Sequence, residues 1–140
     1  MKKIIFFVLL FPFFFFLKAQ EFRLNQYSNN STVITNRAVF FDSGGNNGDY
    51  QNNQNYVMTF TSENGDPLYL NFYKFNLEDG NDFLFVYDGS STSDPLITTL
   101  TGNTLPKIIA SSGKSITFKF SSNASISKSG WYISLSLIHI

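Results

Sequence analysis

Leu68, Leu70 and Phe72 fall on one face of an extended segment, and Tyr69, Asn71 and Tyr73 on the other. This alternation with a period of two recurs along most of the chain. It limits the fold more than any single motif does, because successive strand side chains point to opposite faces of a sheet. Outside the N-terminal segment no stretch carries helical periodicity. Residues 39–41 end at the turn Asp42-Ser43-Gly44-Gly45, and residues 57–61 are followed by Glu63-Asn64-Gly65-Asp66-Pro67. After Tyr73 the alternation slips, then resumes at Phe75 and Leu77, which predicts a bulge near Tyr73-Lys74. Further strands are expected at 82–87, 96–100, 108–109, 116–120 and 131–135. About seven to nine short strands at this spacing predict an all-β fold, an antiparallel β-sandwich. The aromatic content of 18% suits two sheets packed face to face, so most aromatics are read as core.

The N-terminus predicts the compartment. Met1-Lys2-Lys3 precedes an unbroken apolar run from Ile4 to Leu17, and Lys18-Ala19-Gln20 follows it. A basic start, an apolar centre and a small-residue exit form the pattern of a secretory signal peptide, here residues 1–19 with cleavage after Ala19. The run is shorter than the about 20 apolar residues of a membrane helix, so no membrane span is expected in the mature chain. Removing Lys2, Lys3 and Lys18 takes the ten basic side chains to seven against ten acidic ones, a net charge of −3. Such a balance argues against nucleic-acid binding, which calls for a basic face. The chain has no cysteine, which excludes thiol chemistry and cysteine-based zinc sites and fits an exported bacterial protein. Residues 20–33 read as a polar linker and 34–135 as one domain. The last six residues, LSLIHI, can be encoded by CTGTCTCTTATACACATC, which resembles a transposon end used to prepare sequencing libraries. Residues 136–140 are therefore expected to be an assembly artefact, and His139 among them is assigned no role.

Four of the ten acids fall in Phe75–Gly89: Glu78, Asp79, Asp82 and Asp88. A strand ending near Glu78 and another starting near Asp82 leave Asp79-Gly80-Asn81 as a three-residue hairpin loop. Glu78 and Asp82 would then share one tip of the sandwich, where a cation relieves their repulsion and hard oxygen donors suit Ca²⁺. The competing reading is a solvated turn, since Asp, Gly and Asn are common turn residues. A glycosidase pair fits poorly, because an exposed tip offers little desolvation to raise a carboxyl pKa.

Five stretches in order resemble the CUB domain family: FDSGGNNGDY (41–50), LYLNFYKFNLE (68–78), NDFLFVYDG (81–89), FKFSSNAS (118–125) and GWYISL (130–135). The likeness spans residues 34–135, without the disulfides common in animal members. It implies a jelly-roll-like β-sandwich that binds partners and performs no chemistry of its own. It also implies a Ca²⁺ site at one end, with Glu78 and Asp82 as ligands and Tyr50 supporting them through its hydroxyl. Asn123 stands where the family places a third acid, which implies a weak site; Ser125 is a further candidate contact. Asp79 and Asp88 are left as turn residues.

The function expected from this resemblance is a secreted, non-catalytic binding or adhesion module for a protein or carbohydrate ligand. The alternatives are an N-terminal accessory module of a larger secreted enzyme, such as a peptidase, and a surface or matrix structural protein. The sequence carries no HExxH motif, no phosphate-binding Gly loop with Lys and no Ser-His-Asp set apart from His139.

Overall fold

The computed structural model describes Pro12 and residues 18–138. Apart from Pro12, Lys18 and Ala19, the expected signal peptide lies outside the described residues, as does His139. Among the described residues, every alternating segment becomes a strand and none becomes a helix. Consequently no helix there is long and apolar enough to cross a membrane. The strands are β1 (Gln20–Arg23), β2 (Ser31–Ile34), β3 (Arg37–Phe41), β4 (Asn55–Thr61), β5 (Tyr69–Asn76), β6 (Phe83–Tyr87), β7 (Leu96–Leu100), β8 (Ile109–Ala110), β9 (Ser115–Ser121) and β10 (Gly130–Ser136). They form two five-stranded sheets, β1-β3-β10-β5-β8 and β2-β4-β9-β6-β7, packed as a sandwich.

The sandwich is antiparallel except at two edges, where β1 runs parallel to β3 and β2 parallel to β4. These two strands correct the expected polar linker at 20–33. Edge strands show solvent one face and one flank, so at least half of each sequence is polar and the alternation is hard to see. Phe22 and Val33 nonetheless pack against the core, and Leu24, in the crossing between the sheets, is fully buried. At the other end Ser136, expected as the first residue of an artefactual tail, pairs with Arg37 and Tyr69, and Leu137 packs against the core.

The predicted bulge is present. Ile133 pairs with Phe72 and Tyr132 with Lys74, so Tyr73 is the extra residue. The slip lets Phe72 and Phe75 both point inward although three positions separate them.

Aromatic rings from both sheets fill the space between them. Phe40 lies 5.1 Å from Phe60, 4.8 Å from Phe118 and 5.6 Å from Trp131. Phe120 lies 5.0 Å from both Trp131 and Tyr50, in edge-on geometry. Such tilted pairs suit the ring quadrupole, and each fully buried ring contributes on the order of 2–3 kcal/mol through burial. The Tyr50 end of this core carries the polar site.

Candidate metal centre

Residues 77–82 do not make the expected hairpin. β5 pairs with β10 and β8 in one sheet, whereas β6 pairs with β9 and β7 in the other, so the acidic turn arches between the sheets. Alternating runs on either side of turn residues look the same whether the chain folds back in one sheet or crosses to the facing one. Gly80 has a φ of +72°, and the carbonyl of Glu78 accepts from Asn81 N at 3.3 Å and Asp82 N at 3.1 Å. Thr101 ties the arch down: its Oγ1 donates to the Glu78 carbonyl at 3.2 Å and accepts from Gly80 N at 2.9 Å.

Tyr50 joins the two acids. Its hydroxyl donates to Asp82 Oδ2 at 2.6 Å and accepts from the Glu78 backbone N–H at 3.0 Å. Burial and the neighbouring Asp82 carboxylate hold the Tyr50 phenol well above its usual range, so it stays a donor. Asp82 is fully buried, and its other oxygen accepts from Asn123 N at 2.8 Å. Each Asp82 oxygen therefore has one protein donor and one lone-pair direction left over. Glu78 Oε2 is buried with no hydrogen-bond partner among the described residues. An orphaned buried carboxylate oxygen is costly unless a cation or water satisfies it.

Asn123 reaches Asp82 through its backbone, while its side-chain oxygen accepts from Ser125 N at 3.1 Å. An amide oxygen has a second lone pair, so this bond does not close it to a metal. Ser125 is exposed. Asp79 is exposed, and Asp88 lies apart, accepting from Ser112 N at 2.8 Å. The side chains of Glu78, Asp82, Asn123 and Ser125 offer oxygen donors, which suit Ca²⁺ better than a softer ion. Among the described residues no three His, Cys, Asp or Glu side chains cluster in a way that could hold a metal ion.

Sequence reasoning missed part of this end. An open pocket of about 380 Å³ beside Glu78 is also lined by Thr101, Ile126 and Lys128. Ile126 is 56% exposed with a φ of +55°, a conformation unfavourable for a β-branched residue that no sequence signal announces. Asp42 was also passed over. It is fully buried, accepting from Gly44 N at 2.8 Å and Trp131 N at 3.0 Å. Desolvation outweighs those bonds and raises its pKa from 3.8 to about 6. The signals available were the turn Asp42-Ser43-Gly44-Gly45 and the pair Gly130-Trp131, 88 positions downstream of Asp42.

Ten strands in two sheets, with Tyr50 bonded to Asp82 and to the Glu78 backbone at one end, define an all-β sandwich with a polar loop end. The chain matches the CUB domain family profile over residues 29–135 and belongs to that family, whose domains are generally binding modules without catalytic activity. It is 42% identical to the exoskeleton protein RP43 of Riftia pachyptila over 53% of this chain and 19% of that protein. It is 28% identical to human cubilin over 77% of this chain and 3% of that protein. The chain therefore spans less than a fifth of these relatives' length. In structure it resembles the MASP-1 CUB2 domain bound to Ca²⁺, with a TM-score of 0.66 and 21% identity over 77% of this chain and 98% of that one. The extracellular region of zebrafish Gpr126/Adgrg6 also gives a TM-score of 0.66, at 24% identity over 78% of this chain and 14% of that one. At these identities the structural likeness shows the fold.

Proposed function

We propose that this chain is a secreted, non-catalytic CUB module that holds Ca²⁺ weakly at Glu78 and Asp82 and uses that end to bind a partner. The observation that carries the reading is the buried, unpartnered Glu78 Oε2, on a residue whose backbone Tyr50 ties to Asp82. Asn123 and Ser125 would complete the oxygen shell. With an amide in place of a third carboxylate, affinity falls in the weak range of extracellular modules, roughly 0.1–1 mM. The carboxylates, once fixed by the metal, would accept charge-assisted hydrogen bonds from a Lys or Arg of a protein ligand. Export would remove residues 1–19; Gln20 opens β1, so a cut after Ala19 leaves every strand intact.

Melting with and without Ca²⁺ tests the site. At about 5 mM Ca²⁺ the expected stabilisation is about 1–2 kcal/mol, a rise of a few degrees. Glu78→Gln should abolish the rise. An unchanged melting temperature in the unsubstituted chain would refute the site. A second reading, an accessory module of a larger secreted enzyme, is favoured by the length of the relatives, of which this chain matches 19% and 3%. It predicts a catalytic motif, such as that of a peptidase, in the adjoining sequence.

A further inference from the structure

We propose that the outer face of the β3-β10-β5 sheet is a second binding surface, for a linear acidic polysaccharide carrying uronate carboxylates. It shares no residue with the pocket beside Glu78.

The β5 bulge creates the surface. Phe72 and Phe75 are both buried, and the two residues between them, Tyr73 and Lys74, project outward together. Tyr73 is 55% exposed, and its ring lies 5.1 Å from that of Tyr132 on β10. Tyr132 in turn lies 4.8 Å from the buried Phe41 on β3. Three rings thus cross three adjacent strands, with Phe41 backing Tyr132 and leaving Tyr132 and Tyr73 accessible. They border an open depression, about 370 Å³ with Lys18 and Ala19 of the expected signal peptide in place, that also takes in Arg37, Asn46 and Ser134.

The chemistry of this face fits a sugar chain better than a protein. Two accessible tyrosines offer apolar ring faces and polar tips, which match the C–H faces and hydroxyls of pyranose rings. Most other groups bordering the face are polar, among them Arg37, Asn46, Lys74 and Ser134, with Glu21 as the acid and Val39 and Ile138 as apolar neighbours. A stable protein interface covers roughly 800 Å² per partner around an apolar core, which one exposed ring and one half-buried ring do not supply.

The charges fit an acidic chain. Glu21, the carboxylate on this face, is held by Arg23 at 3.1 Å, the one ion pair among the described residues. Lys74 Nζ donates to the Asn46 carbonyl at 3.1 Å and lies near the buried Asp42. Arg37 is exposed and makes no ion pair among the described residues; Glu63, which lines the adjoining depression with it, accepts from Asn36 Nδ2 at 3.3 Å. A guanidinium in that position forks onto a carboxylate.

Titration calorimetry of the purified chain with an oligogalacturonate tests the proposal, with a neutral cello-oligosaccharide of equal length and a heparin oligosaccharide as comparators. Expected is binding of the oligogalacturonate that weakens several-fold as salt rises, because exposed charges are screened. Tyr73→Ala and Arg37→Gln should each weaken it about tenfold or more while the melting temperature holds. Tyr27→Ala removes an 89% exposed ring away from this face and should bind as the unsubstituted chain does. Calcium chelation should leave the titration unchanged, which separates this surface from the Glu78 site. No binding, equal binding of the neutral chain, stronger binding of heparin, or full binding by both variants would overturn it. So would a dimer in sedimentation that Tyr73→Ala dissolves, since the face would then meet a second copy.

Discussion

Asp42 contributes stability that is present at low pH and lost as pH rises, the reverse of an ion-paired carboxylate. Its carboxylate is fully buried, and its pKa stands near 6 against 3.8 in the open chain. The folded state therefore holds the proton more tightly than the unfolded state between those values. By linkage, the contribution is full below pH 3.8 and is lost as pH rises through 6. The shift corresponds to about 3 kcal/mol at about 1.4 kcal/mol per pH unit, of which about 2–3 kcal/mol falls between pH 4 and pH 7.5. Other carboxylates obscure this in the chain alone, so Asp42→Ala supplies the reference. The variant leaves Gly44 N and Trp131 N without their acceptor, so it should be less stable at low pH. Urea unfolding of both proteins across that range gives the gap between them. The gap should shrink by about 2–3 kcal/mol as pH rises. A gap that stays constant or widens would refute the claim that burial dominates the environment of Asp42.

Three further outcomes follow from the same geometry. Tyr50→Phe keeps the ring but strips Asp82 of a donor and Glu78 N of its acceptor, so urea unfolding should show a loss of about 2–4 kcal/mol; a loss below about 1 kcal/mol would contradict the bracing role. Gly130→Ala should cost about 2–4 kcal/mol, read from the urea midpoint, because φ is +71° there and a Cβ would land on Asp42 Oδ2; a neutral result would mean that the start of β10 can shift. Asn123→Asp restores a third acid while keeping the backbone bond to Asp82, so calorimetry should show Ca²⁺ binding tightened roughly tenfold. An unchanged affinity would place Asn123 outside the metal's shell.

Much of the fold was legible because a half-buried strand writes its burial into a period of two. Leu84 and Val86, or Ile116, Phe118 and Phe120, could be placed on the inner face from spacing alone. The bulge at Tyr73 was legible for the same reason, since an extra residue breaks the period at a definite point. β1 and β2 were not, because each pairs on one side only and four residues, at least half of them polar, carry too little pattern. Of the acidic end, the residues in play could be named from the order of motifs, but not how Asn123 meets Asp82, since backbone and side-chain contacts leave the same letter in the sequence.

By itself, then, the sequence determined that the chain is all-β, where its inward side chains lie and which acids cluster in one turn. These are local matters, set by neighbours within a few positions. Only the tertiary structure decided that Phe75–Gly89 arches between two sheets rather than folding back within one. A strand's partners are chosen by the packing of the whole sandwich, and a turn reads alike in either case. The same long-range packing brings Tyr50 to Asp82 across 32 positions, buries Asp42 against Trp131 across 89, and sets the rings of Tyr73 and Tyr132 side by side.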